Sequence, residues 1–203
     1  MSDNSIRKFR FLSAVGILAA VMIVLSGGVV VAQTAPVSYL QGKRIYLANP
    51  LGFSEAGTRF IREVLAPELT RLGGQVVNPF DLVDKDRVGK ISSMSPSPDR
   101  VEKWRVLNAE IGKLNQENID KCDVVFAVLD GPDVDSGTAS EIGYAYARQK
   151  LIVGYRSDFR LSADNEGGIV NLQVEHFIRA SGGTIVSKVS EIEAAFSSLP
   201  KRN

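Results

Sequence analysis

A pair of carboxylates, Asp135 and Glu141, is the feature of this sequence that most directly suggests chemistry. A helix predicted to begin near Thr138 places Glu141 in its first turn, six residues after Asp135. The helix dipole there favours the ionised carboxylate and holds it ready as a nucleophile. One nucleophilic carboxylate and one that handles protons are what the cleavage of a glycosidic bond requires. The pair therefore predicts such a site.

A purely structural interpretation of Glu141 stays open beside the catalytic one. The segment Thr138-Ala139-Ser140-Glu141 has the spacing of a capping box. In that motif the Glu141 side chain would only bond the backbone N–H of Thr138.

Other catalytic motifs are missing from the sequence. It contains no G-x-G-x-x-G, Walker or G-x-S-x-G motif, which removes the sequence argument for dinucleotide enzymes, P-loop NTPases and serine hydrolases. Asp130, Asp133 and Asp135 suggest a divalent-metal loop, but their spacing lacks the calcium-loop pattern. His176 and Cys122 are the only histidine and cysteine, so a zinc cluster and an intrachain disulfide are excluded. We expect no metal site.

The charge balance bears on the class of partner. The 203 residues carry 24 Lys and Arg against 23 Asp and Glu, a formal net charge of +1. Nucleic-acid grooves and polybasic membrane surfaces need an excess of positive charge. We therefore expect no nucleic-acid partner.

The N-terminal segment has the composition of an export signal. Residues 11–32 form an uncharged run of 22 residues behind three basic ones, and residues 30–32 offer small side chains for signal peptidase. An uncleaved membrane anchor is the alternative, because the run is long enough to span a bilayer. We expect residues 1–32 to be a signal peptide or anchor. The protein would then be exported, periplasmic or membrane-anchored, or cytoplasmic if the start codon is misassigned.

The elements that position the carboxylates follow from the apolar pattern. Strand-like and helix-like periods alternate, which is typical of an α/β fold with a parallel sheet. Strands are predicted over 44–49, 76–77, 123–129, 151–155 and 184–186, and helices over 54–72, 101–121, 138–149, 169–178 and 190–199. Residues 82–100 lack periodicity and are predicted to be an exposed loop. Ligands of such sheets lie beyond the carboxyl ends of the strands. The prediction is a linker at 33–42 followed by one domain at 43–203.

Four segments carry a resemblance to the nucleoside 2-deoxyribosyltransferase family. They are residues 45–51 (IYLANPL), 78–81 (NPFD), 122–131 (CDVVFAVLDG) and 135–145 (DSGTASEIGYA). The resemblance covers nearly the whole domain and is most specific over 123–145. It implies a doubly wound, five-stranded parallel sheet and exchange of the base on a 2-deoxyribonucleoside through a covalent sugar on a glutamate. It implies no cofactor.

The resemblance also implies roles for individual residues. Glu141 matches the nucleophile, Asp135 the aspartate that assists the departing or incoming base, and Tyr46 the tyrosine that holds the nucleophile. The implied substrate contacts are Leu51 and Phe53 against the base, Asp81 in base recognition, Gly137, Asn115 and Asn171.

Two of these contacts carry further implications. Asn171 resembles an asparagine that reaches into a neighbouring subunit's site, which implies a homodimer or larger homo-oligomer with shared sites. Asn115 stands where some family members carry an aspartate that holds the sugar hydroxyl, so it departs from the pattern.

Three functional classes stay open at this point. They are the transferase, a related N-glycosidase acting on deoxynucleoside 5'-monophosphates, and a non-catalytic nucleoside or nucleotide binder. The hydrolases need an anion site, usually in a polar and basic first loop. Here residues 49–53 read NPLGF, with Arg59 as the nearest cation. This favours unphosphorylated deoxynucleosides and free bases as the partners.

Overall fold

The structure, a computed structural model, describes residues 39–198. The predicted signal peptide or anchor at 1–32 lies outside the described residues, as does most of the predicted linker. Among the helices within residues 39–198, none has the length and apolar character that a membrane span requires.

Five parallel strands form a single sheet. They are β1 (Arg44–Ala48), β2 (Gln75–Val77), β3 (Val124–Val128), β4 (Leu151–Tyr155) and β5 (Ile185–Val186), in the order β2-β1-β3-β4-β5. Every residue of β3 is buried, as expected of a strand covered on both faces. The predicted doubly wound, five-stranded parallel sheet is confirmed. The strand order reverses between β1 and β3, which creates the switch point where such sheets bind ligands.

Helices cover both faces of the sheet. They are α1 (Glu55–Phe60), α2 (Ala66–Arg71), α3 (Lys85–Ser92), α4 (Pro98–Lys121), α5 (Ser136–Ala147), α6 (Leu172–Ala180) and α7 (Ile192–Ser197). A π-helical turn, Ile61–Leu65, joins α1 to α2. Short 3-10 turns lie at Leu51–Phe53, Pro79–Asp81 and Val189–Glu191. The α1–α2 unit and α7 pack on one face of the sheet, while α4, α5 and α6 pack on the other.

The prediction of an exposed loop over residues 82–100 is wrong. Helix α3 occupies the middle of this segment, and α4 begins at Pro98. The Asp84 carboxylate caps α3 by accepting from two backbone N–H groups, and Ile91 is the buried residue of that helix. Val88 and Ile91 are the only apolar residues of this eight-residue helix, so its apolar stripe is very short and the Asp84 cap is the clearer sign of a helix.

Gly183 provides a test of the packing between α6 and β4. A Cβ atom at Gly183 would lie 1.7 Å from the backbone oxygen of Ile152. Because a backbone oxygen cannot rotate away, Gly183→Ala should destabilise the protein by at least ~2 kcal/mol in urea denaturation. Gly112→Ala is the control, since nothing lies within 4 Å of that position on α4, and it should be neutral or gain up to ~1 kcal/mol. Equal urea concentrations at the midpoint of denaturation for the two variants would contradict this account of the packing.

Candidate active site

Three predicted site residues meet beside the switch point. The Oη of Tyr46, on β1, donates a hydrogen bond of 2.6 Å to Oε1 of Glu141, on α5. The Nδ2 of Asn115, on α4, lies 3.4 Å from the same oxygen. No described side chain bonds the other carboxylate oxygen, Oε2 of Glu141. The fold therefore fixes Glu141 through one oxygen and leaves the second one available.

The capping-box interpretation of Glu141 is wrong. Helix α5 begins at Ser136, and its N-cap is Asp135, whose Oδ2 accepts from the Thr138 N–H at 3.0 Å. Glu141 consequently lies in the second turn rather than the first. A Cβ at Gly137 would lie 3.0 Å from the same Asp135 oxygen, so a larger residue there would crowd the cap.

Burial dominates the protonation of Glu141. It raises the pKa of this carboxyl to about 7, while the hydrogen bond from Tyr46 lowers it and the charge of Asp135 raises it. The expectation that the helix dipole keeps this carboxylate ionised is corrected, since Glu141 lies beyond the first turn of α5 and its burial favours the protonated form. Burial, followed by the charge of Glu141, raises the pKa of the Tyr46 hydroxyl, so Tyr46 stays a hydrogen-bond donor.

Asn115 presents an unsatisfied acceptor beside this carboxyl group. Its Oδ1 is buried and has no hydrogen-bond partner among the described residues. Buried polar atoms are rarely left unpaired, and an unpaired one calls for a specific explanation. A donor on a bound ligand would complete the hydrogen bonding of Asn115.

Asp81 is held by its own neighbours. Its Oδ2 accepts from Asn78 Nδ2 at 3.0 Å, and its Oδ1 lies 3.7 Å from Arg62 and 3.8 Å from Lys85. These contacts fix the loop after β2 and include none of Tyr46, Asn115 or Glu141. The role of Asp81 in base recognition stays a prediction.

The two predicted apolar contacts, Leu51 and Phe53, occupy different environments. Leu51 packs against the core on the α1 face. Phe53 is 80% exposed, and its ring meets that of Phe80 edge-on at a centroid distance of 5.0 Å. Gly52 passes so close to Phe80 that a Cβ would lie 2.3 Å from the ring. The sequence prediction missed Phe80 as a site candidate, although it belongs to the NPFD segment.

Asn171 is the N-cap of α6. Its Oδ1 accepts from the N–H groups of Gln173 and Val174 at 3.0 and 3.4 Å. The structure contains a single chain, so the expected contact of Asn171 with a neighbouring subunit stays a prediction.

The three aspartates after β3 do not converge on a common point. Asp130 bonds Ser157, Asp133 accepts from the N–H of Val134, and Asp135 caps α5. Within residues 39–198, no group of three or more His, Cys, Asp or Glu side chains is arranged to hold a metal ion.

The fold and the site together define a class of protein. A doubly wound sheet of order 2-1-3-4-5, with a partly buried carboxyl beside its switch point, is the arrangement of an α/β protein that binds a small ligand. Residues 45–173 match the sequence model of the nucleoside 2-deoxyribosyltransferases, and the chain belongs to that family.

Individual relatives are distant. An uncharacterized protein of Schizosaccharomyces pombe is 27% identical, over 74% of this chain and 83% of its own length. A conserved protein of Enterococcus faecalis has a similar structure, with a TM-score of 0.55 and 23% identity over 76% of this chain and 97% of its own. The structure of a 2-deoxyribosyltransferase of Bacillus psychrosaccharolyticus is also similar, with a TM-score of 0.53 and 22% identity over 74% of this chain and 90% of its own. The two structural likenesses establish a common fold.

Proposed function

We propose that the protein cleaves the N-glycosidic bond of 2'-deoxyribonucleosides and transfers the 2-deoxyribosyl group to a second base. The observation that carries this proposal is the Glu141 carboxyl, held at Oε1 by the Tyr46 hydroxyl and free at Oε2. Membership of the nucleoside 2-deoxyribosyltransferase family supports the choice of substrate class.

The first step forms a bond between Glu141 and the sugar. Oε2 of the ionised carboxylate attacks the anomeric carbon as the carbon–nitrogen bond to the base breaks. The electron pair of that bond goes to the base, which takes up a proton from Asp135. The product is a 2-deoxyribosyl ester on Glu141 and a free base.

The second step reverses the first with a different base. The incoming nitrogen attacks the anomeric carbon, the ester bond breaks, and Asp135 accepts the proton. Each step inverts the anomeric carbon, so the β configuration is retained. The unpaired Oδ1 of Asn115 accepts from a sugar hydroxyl in this arrangement.

The direct test is base exchange by the purified protein. Deoxyinosine is incubated with and without adenine, and nucleosides and bases are separated by chromatography. We expect β-deoxyadenosine and free hypoxanthine in equal amounts when adenine is present. Hypoxanthine released at the same rate without adenine, and with no deoxyadenosine formed, would identify a hydrolase instead. No release under either condition would contradict the enzyme proposal altogether.

Tyr46→Phe should shift the pH dependence of the reaction. The Tyr46 hydrogen bond lowers the pKa of Glu141, so its loss raises that pKa and leaves less ionised nucleophile at neutral pH. We expect the acid limb of kcat/KM to move to higher pH and the rate at pH 7 to fall roughly tenfold or more.

Tyr144→Phe is the matched control for Tyr46→Phe. Tyr144 lies on α5 as Glu141 does, and its hydroxyl bonds a different carboxylate, Asp120, at 3.1 Å. This variant should keep the wild-type pH profile. If the acid limb of kcat/KM in Tyr46→Phe coincides with that of the wild type, Tyr46 does not set the pKa of the nucleophile.

The proposal extends to assembly and location. We propose an active unit of at least two subunits, in which Asn171 completes the neighbouring site, and export directed by residues 1–32.

A further inference from the structure

Arg156, directly after β4, is a buried cation without a direct ion pair. Its residue exposure is 3%, and no carboxylate within residues 39–198 lies within 4 Å of its guanidinium. The nearby Asp158 carboxylate pairs with Arg160 instead, and the hydrogen bonds from Arg160, followed by the charges of Arg160 and then Arg156, lower the pKa of Asp158. The Arg156 guanidinium donates to the backbone oxygens of Leu129, Gly131 and Arg160, the last two at 3.2 and 2.5 Å. Burying a charge in this way is unfavourable unless hydrogen bonds compensate. The three carbonyl contacts satisfy the two Nη groups of Arg156, whereas its buried Nε has no hydrogen-bond partner among the described residues.

Asp130 makes the reciprocal connection. Its Oδ1 accepts from the N–H groups of Ser157 and Asp158 at 2.6 and 2.8 Å, and its Oδ2 accepts from Ser157 Oγ at 2.6 Å. The Arg156 side chain thus binds the backbone that follows β3, and the Asp130 side chain binds the backbone that follows β4. We name this pair of side chains, with its contacts, the Arg156–Asp130 clamp.

The clamp holds one end of the segment that leads to Asp135. Between the clamp and α5, Gly131 has a φ of +133°, a value that other residues rarely adopt, and Pro132 and Asp133 are exposed. Asp135 is fixed to α5 through its cap bond to Thr138. The start of this segment is therefore held by the Arg156–Asp130 clamp, and its end by the buried side chain of Val134 and by the helix.

We infer that Arg156 is a positioning residue for Asp135, holding the segment 129–135 so that the Asp135 carboxyl faces the base while Glu141 faces the sugar. The inference rests on the proposed function. Glu141 is held by Tyr46 and Asn115 from other elements. Loss of the clamp should therefore impair proton delivery to the base and spare nucleophilic attack.

Two substrates separate these effects. Deoxyinosine releases its base with a proton from Asp135. In 7-methyldeoxyinosine the base is already cationic and leaves as a neutral molecule without taking up a proton. The ratio of the two kcat/KM values reports proton delivery, and it is independent of the fraction of folded protein because both rates come from one sample.

The experiment compares the full-length wild type with Arg156→Gln and with Arg156→Lys, which keeps the charge but lacks the planar fork. We expect deoxyinosine cleavage to fall so that the ratio shifts about tenfold or more, as for partial loss of general acid catalysis. Hydrogen exchange at the amides of Leu129, Ser157 and Asp158, which are hydrogen-bonded at the clamp, should become faster in both variants. Arg148→Gln is the control, because Arg148 is an exposed cation paired with Asp120. It should leave both readouts unchanged.

The two proposals fail in different ways. Equal losses on both substrates, or unchanged exchange in both Arg156 variants, would overturn the positioning role while the wild type still turns over. A wild type that cleaves neither substrate would overturn the proposed function and this inference with it.

Discussion

Replacing Glu141 with glutamine is expected to lower base exchange by about three orders of magnitude or more while the protein stays folded. Glutamine keeps an oxygen that accepts from the Tyr46 hydroxyl, so the contacts of this position are preserved. A neutral amide cannot form the sugar ester, so the covalent step is lost. Exchange between deoxyinosine and adenine gives the rate. Mass spectrometry of wild-type protein treated with a 2-fluoro substrate analogue should locate the ester on Glu141.

Glu117→Gln is the control for that experiment. Glu117 lies on α4 between Lys113 and Lys121, at 3.9 and 3.8 Å, and takes no part in the site. It should exchange bases at the wild-type rate. Exchange by Glu141→Gln close to that rate, or an ester trapped on another residue, would show that Glu141 is not the nucleophile.

Glu141→Gln should also be more stable than the wild type at pH 8, with an advantage that disappears toward pH 4.5. The folded protein raises the pKa of Glu141 from 4.5 to about 7 and so binds more protons than the unfolded chain between these values. The contribution of this carboxyl to stability is full below pH 4.5 and is lost as the pH rises through 7. Each pKa unit corresponds to about 1.4 kcal/mol, so the wild type should lose up to roughly 3 kcal/mol that the glutamine variant does not.

Urea denaturation at pH 5 and pH 8 measures this difference. The free energies of unfolding of Glu141→Gln and wild type should diverge between the two pH values, whereas Glu117→Gln should follow the wild type at both. A constant difference between Glu141→Gln and wild type would mean that Glu141 does not titrate with a raised pKa. The expected behaviour is that of a catalytic group maintained at the expense of stability.

Much of the fold could be predicted from local pattern. The continuous apolar run of β3 and the glycines after α2 are strong signals, and β4 was predicted at its observed bounds. Helix α3 was missed because it is short and contains only two apolar residues, Val88 and Ile91, which give too short a pattern to recognise. The start of α5 was misplaced because Asp135 and Thr138 are both suitable N-cap residues. The hydrogen bond from the Thr138 N–H to the Asp135 carboxylate shows that Asp135 takes the position.

Less of the candidate site than of the fold could be predicted from the sequence. The contact between Tyr46 and Glu141 spans 95 positions and followed from the family resemblance, since no local pattern encodes it. The ion pair between Asp158 and Arg160 is the kind of contact that adjacent charges suggest. Arg156 looks equally ordinary in the sequence. Its importance emerges only when the ends of β3 and β4 are adjacent and the guanidinium is buried between them.

The hydrogen bond from Tyr46 makes the two oxygens of Glu141 chemically different. In the proposed mechanism Oε2 becomes the bridging oxygen of the ester, and Oε1 becomes its carbonyl oxygen. Tyr46 then donates to that carbonyl and withdraws electron density from it, with Asn115 as a weaker second donor. This polarisation makes the Glu141 carboxylate a better leaving group. The hydrogen bond that orients the nucleophile in the first half-reaction therefore speeds its departure in the second.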